Sequence, residues 1–274
     1  MTQRFSPLGI FSVQQGRPKI IAIANQKGGV GKTTTTLNLA AAFAEVGHRV
    51  LIMDLDPQGN ASTGLGSAAD EREFTTYDVL VGGVLEERFV VKTDVENLFL
   101  VPSTTDLSSA DIELANTKNR SHLLRTVLIS SDLSHYDYVL FDCPPSLNVL
   151  TVNALIAADA LIIPLQSEFF ALEGLSQLLI SVREVRNLGN PGLRIEGVVL
   201  TMFDGRNRLS LQVEEDAREN LGDLVFKTVI PRNVRISEAP SFSMPVLSYD
   251  SRSKGAKAYR ALAQEVLARR TQSS

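Results

Sequence analysis

The stretch NQKGGVGKTTTT, residues 25–36, combines glycines, two lysines and a run of threonines in a pattern that can bind phosphate. Glycines let the backbone turn tightly, so that successive N–H groups point at phosphate oxygens. Lys32 can reach the β- and γ-phosphates of a nucleotide, and the hydroxyl of Thr33 can ligate Mg²⁺. The pattern therefore predicts a nucleotide site, and it leaves a second lysine, Lys27, to be explained.

The loop departs from the usual phosphate-loop spacing at its start. The spacing G-x-x-x-x-G-K-[ST] requires glycine at position 26, where this chain has Gln26. The distinctive residue in its place is Lys27. The residues predicted to bind the phosphates are Lys27, Gly28, Gly29, Val30, Gly31, Lys32, Thr33 and Thr34.

The elements that must position this loop alternate along the chain. Short aliphatic runs are followed by helical patterns, which predicts an α/β fold: a single doubly wound, mostly parallel sheet with helices on both faces. Several runs are apolar without alternation, as expected when helices cover both faces of a sheet. Strands are predicted at 19–24, 49–54, 98–102, 136–142, 160–165, 195–203 and 224–230. Helices are predicted at 33–46, 120–130, 149–157, 172–187, 209–221 and 254–269.

Composition favours one ordinary globular domain. Of 274 residues, 44% are hydrophobic and 21% charged, with a net charge of −4. We predict a flexible extension over residues 1–18 and one domain over 19–274. A single cysteine, Cys143, excludes an internal disulfide and a multi-cysteine metal site within one chain. Without an apolar run long enough to span a bilayer or a secretory signal, the chain is expected to be cytoplasmic.

Acidic residues follow two of the predicted strands. Asp54 and Asp56 lie at the end of the strand 49–54, and Asp142 ends the strand 136–142. Ligands of open α/β sheets bind at the carboxyl ends of the strands, so these acids should lie beside the phosphate loop. The apolar strand before Asp142 is typical of a Walker B acid that helps to hold Mg²⁺.

The segment KGGVGKTT resembles the deviant Walker A sequence of the ParA/MinD ATPases. The resemblance implies ATP and Mg²⁺ as cofactors and Lys27, Lys32 and Asp56 as the catalytic residues. In that family the extra lysine, here Lys27, reaches the partner's nucleotide across a homodimer interface. Asp56 would orient or deprotonate the attacking water. The metal would be held by Thr33 and Asp142, with Asp54 organising its surroundings.

Other segments are similar to the ParA/Soj branch, which segregates chromosomes and plasmids: DPQGNASTGLG, FDCPPSLNVLTVNAL, EFFALEGLSQL and VIPRNVRISEAPSFSMPVLSYDSRSKGAKAY. This resemblance implies a slow ATPase whose ATP-bound dimer binds double-stranded DNA without sequence preference and is stimulated by a ParB-type centromere-binding protein. It implies a cytoplasmic, nucleoid-associated protein. The matching positions are Pro231 and Asn233 beside the base, and Arg206 and Arg235 on DNA.

Two alternatives remain open. A MinD-like positioning ATPase would bind membranes through an amphipathic C-terminal helix, and a regulator of replication initiation would act through a protein partner. The C-terminal segment KAYRALAQEVLARRTQSS has an apolar face of alanines and small aliphatic residues, without the large aromatic and leucine cluster of a membrane anchor. We therefore predict a helix docked on the sheet and no stable membrane association.

Overall fold

The computed structural model describes residues 16–110, 119–168 and 171–272. Within these ranges, seven strands form one sheet: β1 (Lys19–Ile23), β2 (Val50–Asp54), β3 (Val91–Lys92), β4 (Leu98–Val101), β5 (Tyr138–Asp142), β6 (Ala160–Gln166) and β7 (Arg194–Thr201). Their order is β3-β4-β2-β5-β1-β6-β7, with β3 antiparallel to β4 and the other pairings parallel. The predicted doubly wound, mostly parallel sheet is confirmed.

The helices of the described residues connect these strands. They are α1 (Lys32–Glu45), α2 (Asn60–Gly64), α3 (Thr76–Gly82), α4 (Leu123–Ser130), α5 (Val149–Ala157), α6 (Ala171–Leu188), α7 (Arg208–Leu221), α8 (Val234–Glu238), α9 (Val246–Tyr249) and α10 (Lys254–Gln272). All six predicted helices are present with ends shifted by a few residues. The short helices α2, α3, α8 and α9 were not predicted, because segments of four to seven residues hold too few turns for a periodic pattern.

The sheet is buried on both faces. Along β1, Ile20 and Ala22 pack into one hydrophobic core, whereas Ile21 and Ile23 pack into the other. Successive residues of a strand point to opposite faces of the sheet, and helices cover both faces. Residues on either face are therefore buried against apolar neighbours. The uninterrupted apolar runs of the sequence follow from this arrangement.

The C-terminal helix α10 packs on the domain, as predicted. Tyr259, Leu262 and Val266 are buried in the same core as α1. At the edge of this contact, Arg260 pairs with Glu45 of α1. The apolar face of α10 is thus covered by the chain itself.

The predicted strand 224–230 is wrong. Isolated bridges pair Val225 with Val198 of β7 and Pro231 with Phe203, just beyond β7. The N–H groups of Phe226 and Ile230 donate to β7 carbonyls at 2.9 and 2.8 Å, but no continuous ladder forms. The backbone N–H groups of Lys227 and Thr228 instead donate to the carboxylate of Glu265, at 2.8 and 3.0 Å. A side chain from α10 therefore binds the N–H groups in the middle of the segment, which interrupts its pairing with β7.

The remaining sequence predictions concern the N-terminal extension, the domain boundary and membrane-spanning segments. The extension predicted over 1–18 falls mostly on residues 1–15, which lie outside the described residues, and stays a prediction, as does the domain boundary. Among the helices of the described ranges, none combines the length and the apolar character needed to cross a bilayer.

Candidate functional site

The phosphate loop lies between β1 and α1. Gly29 and Gly31 have φ values of 73° and 85°, in the left-handed region that side chains other than glycine rarely occupy. Helix α1 begins at Lys32, and no side chain caps its N-terminus. The free N–H groups of its first turn and the helix dipole both favour an anion at this position.

Lys32, the first residue of α1, is held against the phosphate loop by its side chain. Only 7% of the residue is exposed, and its Nζ donates to the carbonyl of Lys27 at 3.0 Å. Burial lowers the pKa of Lys32, and the charge of Asp142 opposes this effect. The ammonium is therefore positioned across the loop, where phosphates would lie.

Asp142 ends β5 behind the first turn of α1. Its Oδ2 accepts a hydrogen bond from Thr33 Oγ1 at 2.7 Å, and its Oδ1 accepts one from Thr36 Oγ1 at 2.9 Å. Burial raises the pKa of Asp142 well above its usual range, and the neighbouring Asp54 adds to the shift. Thr33 and Asp142 thus bring a hydroxyl and a carboxylate together, as the sequence predicted.

Asp54 lies beside Asp142 in the sheet register and holds the segment that follows it. Its oxygens accept hydrogen bonds from the N–H of Asp56 at 3.1 Å and from Ser62 N and Oγ at 2.9 and 2.6 Å. Burial raises its pKa, while the bonds from Ser62 and Asp56 lower it. These bonds explain how Asp54 orders the segment from Asp56 to Ser62, and its role near a metal stays a prediction.

Asp56 lies in a turn between β2 and α2. It is 7% exposed, and its Oδ1 accepts a hydrogen bond from Gln58 N at 3.0 Å. Its backbone carbonyl accepts a bond from Gly59 N at 2.9 Å. The turn fixes the position of the carboxyl group close to the buried pair formed by Asp54 and Asp142.

Arg72 contacts the segment that follows this turn. The sequence analysis did not single out this residue. Arg72 donates to the carbonyls of Ser103 and Ser67, both at 2.6 Å, and to the hydroxyl of Thr63 at 2.8 Å. Gly59 has a φ of 61°, and a Cβ at this position would lie 2.7 Å from the Ser103 carbonyl oxygen. No motif reveals Arg72, because its partners are separated from it in sequence and are mostly backbone atoms.

The extra lysine of the loop occupies a different environment from Lys32. The Nζ of Lys27 forms an ion pair with Glu168 at 3.2 Å, and the two side chains are 36% and 52% exposed. The backbone N–H of Lys27 donates to Asn25 Oδ1 at 3.0 Å, and Asn25 in turn donates to the carbonyl of Pro164 at 2.7 Å. The loop backbone is therefore anchored to β6, while the ammonium of Lys27 lies at the surface.

A cavity of about 440 Å³ extends from the phosphate loop to the segment predicted to contact the base. Asn233 lines it and caps α8, because its Oδ1 accepts a hydrogen bond from Arg235 N at 3.0 Å. Behind the loop, Thr201 Oγ1 donates to the carbonyl of Val30 at 2.8 Å. The lining includes Gly31, Thr34, Ser167, Met202, Pro231 and Asn233. The two base-side residues predicted from sequence thus share one cavity with the loop.

The two predicted DNA-contacting arginines are exposed but locally paired. Arg206 donates from Nε and Nη2 to the carboxylate of Asp204, both at 3.0 Å, with its side chain 91% exposed. Arg235 pairs with Glu238 at 3.0 Å and Asp250 at 3.4 Å. The hydrogen bond from Arg206 lowers the pKa of Asp204 to about 2. An external anion would compete with these acids for both guanidinium groups.

The donor set fits Mg²⁺ better than a softer metal. Cys143 is buried, and burial raises the pKa of its thiol, so it is not poised as a thiolate ligand. The described residues include no group of three or more His, Cys, Asp or Glu side chains that could hold a metal. Thr33 and Asp142 supply hard oxygen ligands, and Mg²⁺ usually completes such a set with water and phosphate oxygens.

Comparisons with known proteins agree with this geometry. Residues 18–195 match a family model described as an AAA domain. The chromosome partitioning protein ParA of Caulobacter vibrioides is 56% identical over 252 residues, 92% of this chain and 94% of that protein. The sporulation initiation inhibitor protein Soj of Bacillus subtilis is 52% identical over 250 residues, 91% of this chain and 98% of that protein. A crystal structure of a cobyrinic acid a,c-diamide synthase from Mycobacterium smegmatis, with bound ADP and magnesium, has a TM-score of 0.81 at 36% identity and covers 94% of this chain and 97% of that chain.

Proposed function

This chain belongs to the ParA/Soj family of chromosome-partitioning ATPases, and we propose that it is an ATP-driven switch for DNA segregation. ATP with Mg²⁺ joins two copies face to face, and the dimer binds double-stranded DNA without sequence preference. A ParB-type partner stimulates slow hydrolysis and thereby releases monomers from the nucleoid. The observation that carries the proposal is the surface position of Lys27 on a loop whose phosphate lysine, Lys32, is already in place.

Lys27 is available to a second subunit. Its present partner is an exposed glutamate, and exposed ion pairs contribute only about 0.2–1 kcal/mol. A γ-phosphate bound in a facing copy offers a more concentrated negative charge and a charge-assisted hydrogen bond. Exchange of Glu168 for that phosphate converts the repulsion between two nucleotide sites into an attraction. Dimerisation then depends on the triphosphate and is lost on hydrolysis.

Hydrolysis requires a positioned water and an ionic environment for the phosphates. In the proposed site Thr33 and Asp142 would hold Mg²⁺, which would neutralise negative charge on the nucleotide phosphates. Lys32 and the N-terminus of α1 bind the phosphate oxygens. Asp56 orients the attacking water from its fixed turn, and its carboxylate can accept the proton.

DNA binding is assigned to Arg206 and Arg235. Nonspecific binding depends mainly on phosphate neutralisation and counterion release, so a net charge of −4 does not prevent it. The local acids beside both arginines make single contacts weak. Two copies of the surface on one dimer add their contacts, which ties tight binding to the ATP state.

The MinD-like alternative is disfavoured by the packing of α10. Its apolar face is buried against α1, and Tyr259 and Leu262 are at most 1% exposed. Insertion into a bilayer would require this helix to leave the core. Co-sedimentation with liposomes in ATP should therefore recover no more protein than in ADP, and strong ATP-dependent recovery without DNA retention would favour the alternative.

Arg235→Glu is expected to lower the affinity of the ATP-bound protein for DNA at least about tenfold, because each copy loses a phosphate contact and gains a repulsive charge. Filter retention of a random duplex should be measured with ADP, ATP and a slowly hydrolysed ATP analogue over a range of salt. The matched control is Arg183→Glu, which makes the same charge change on α6. Retention by Arg235→Glu at the native level, with Arg183→Glu also native, would contradict the assignment.

Asp142→Asn is expected to stabilise the nucleotide-free protein and to abolish ATP hydrolysis. The raised pKa of Asp142 means that its contribution to folding stability falls as the pH rises above the ordinary aspartate value of about 3.9. A neutral amide should therefore raise the melting temperature of the nucleotide-free protein by about 2–4 °C at pH 8, and by less at pH 5. Magnesium-dependent hydrolysis should be lost.

Calorimetric melting at the two pH values, together with phosphate release, checks this prediction. Asp223→Asn, at an exposed position, serves as the control. A lower melting temperature for Asp142→Asn at pH 8 would mean that the bonds from Thr33 and Thr36 outweigh the cost of burying the charge.

A further inference from the structure

Ser167 carries an unusual hydroxyl group. The residue directly follows β6 and is 5% exposed, and its Oγ is the one buried side-chain polar atom without a hydrogen-bond partner among the described residues. A buried hydroxyl without a hydrogen-bond partner destabilises the folded protein. Such groups are rare in native proteins and require an explanation.

The backbone around Ser167 fixes where this hydroxyl lies. Its N–H donates to the carbonyl of Thr201 at 3.4 Å, which places it at the carboxyl ends of β6 and β7. Thr201 in turn holds the carbonyl of Val30 in the phosphate loop at 2.8 Å. Ser167 is thus tied through one residue to the loop that binds the phosphates.

The same residue lines the cavity of about 440 Å³ that joins the phosphate loop to Asn233. At the loop end the wall includes Gly31 and Thr34, and at the far end it includes Pro231. A nucleotide whose phosphates occupy the loop must place its ribose and base in this cavity. Ser167 therefore belongs to the wall of the cavity that the nucleoside would enter, with its hydroxyl buried beneath that wall.

We infer that the Ser167 hydroxyl is a hydrogen-bonding group for the nucleoside part of the bound nucleotide, meeting either a ribose hydroxyl or the polar edge of the base. This inference rests on the proposed function, because it takes ATP as the ligand. A serine hydroxyl both donates and accepts, so it suits either partner.

Removal of the Ser167 hydroxyl should weaken ATP binding without lowering the stability of the nucleotide-free protein. Ser167→Ala removes a group that is unpaired in the free protein, so the nucleotide-free variant should melt no lower than the native protein. The same change removes a bond made only to the ligand. ATP affinity, measured by calorimetry with Mg²⁺, should fall about three- to tenfold. Ser181→Ala is the control, because that buried serine donates to the carbonyl of Gln177 within α6.

Analogues identify the atom that Ser167 contacts. A ribose contact predicts that Ser167→Ala loses part of the native preference for ATP over 2′-deoxy-ATP or 3′-deoxy-ATP. A base contact predicts that it loses part of the preference for ATP over GTP instead. Native ATP affinity in Ser167→Ala, or reduced affinity with all three preferences unchanged, overturns the inference. Failure of the native protein itself to bind ATP would overturn the proposed function, and so the two failures are distinct.

Discussion

Lys27→Ala is expected to bind ATP within about threefold of the native protein and yet to form no ATP-dependent dimer. The expectation follows because the two lysines of the phosphate loop lie in different environments. Lys32 is buried and bonded to the carbonyl of Lys27, and this bond does not need the Lys27 side chain. Among the described residues the Lys27 ammonium pairs with the exposed carboxylate of Glu168, so its removal costs the monomer about 1 kcal/mol at most.

Paired measurements decide this prediction. Calorimetric titration with ATP and Mg²⁺ gives the affinity, and multi-angle light scattering gives the mass in the same buffer. Lys92→Ala, which removes a lysine from the exposed edge strand β3, should dimerise like the native protein. An ATP-dependent dimer of Lys27→Ala would refute the contribution of Lys27 to the facing site. Loss of ATP binding would instead assign Lys27 to its own nucleotide.

Asp56→Ala is expected to hydrolyse ATP about 10²–10⁴ times more slowly, which is the usual contribution of a positioned acid or base. The ATP-bound dimer would then persist and remain on DNA. ATP binding should be little changed, since the phosphate loop and Asp142 are untouched. Phosphate release and DNA retention, followed on one sample after ATP is added, test both effects.

Asp56→Asn separates the chemistry of this residue from its structural role. An asparagine keeps an Oδ1 acceptor for Gln58 N, which is bonded to Asp56 at 3.0 Å, and so preserves the turn. It supplies no carboxylate. Slow hydrolysis in both variants assigns the effect to the carboxylate, whereas native turnover in Asp56→Asn would mean that only the shape of the turn matters.

Much of the fold could be predicted because its signals are local. Buried parallel strands leave apolar runs, and the acids Asp54 and Asp142 end two of these runs. Their neighbouring positions in the sheet register follow from parallel pairing. The glycines of the phosphate loop were identifiable because positive φ values demand that residue. The segment 224–230 is also rich in apolar residues, but Glu265, 35 residues beyond it, binds the N–H groups of Lys227 and Thr228 and interrupts the pairing with β7.

The unpredicted parts of the site depend on contacts between residues distant in sequence. Glu168 pairs with Lys27 across 141 positions, and Thr201 holds Val30 across 171. Arg72 binds mostly backbone carbonyls, which carry no sequence signal. The hydroxyl of Ser167 could not be singled out from sequence, because its distinguishing property is that it has no hydrogen-bond partner within the part of the chain that the structure describes. A single sequence read alone gives no means of predicting such pairs.

The mass of the native protein in solution tests the central claim most directly. Light scattering should be recorded over a range of protein concentrations with Mg²⁺ and either ADP, ATP or a slowly hydrolysed ATP analogue. We predict the 29.9 kDa of one chain in ADP and twice that mass in the analogue, with ATP between them as hydrolysis proceeds. A single-chain mass at every concentration of the analogue that saturates the site would contradict the claim that the γ-phosphate joins two subunits.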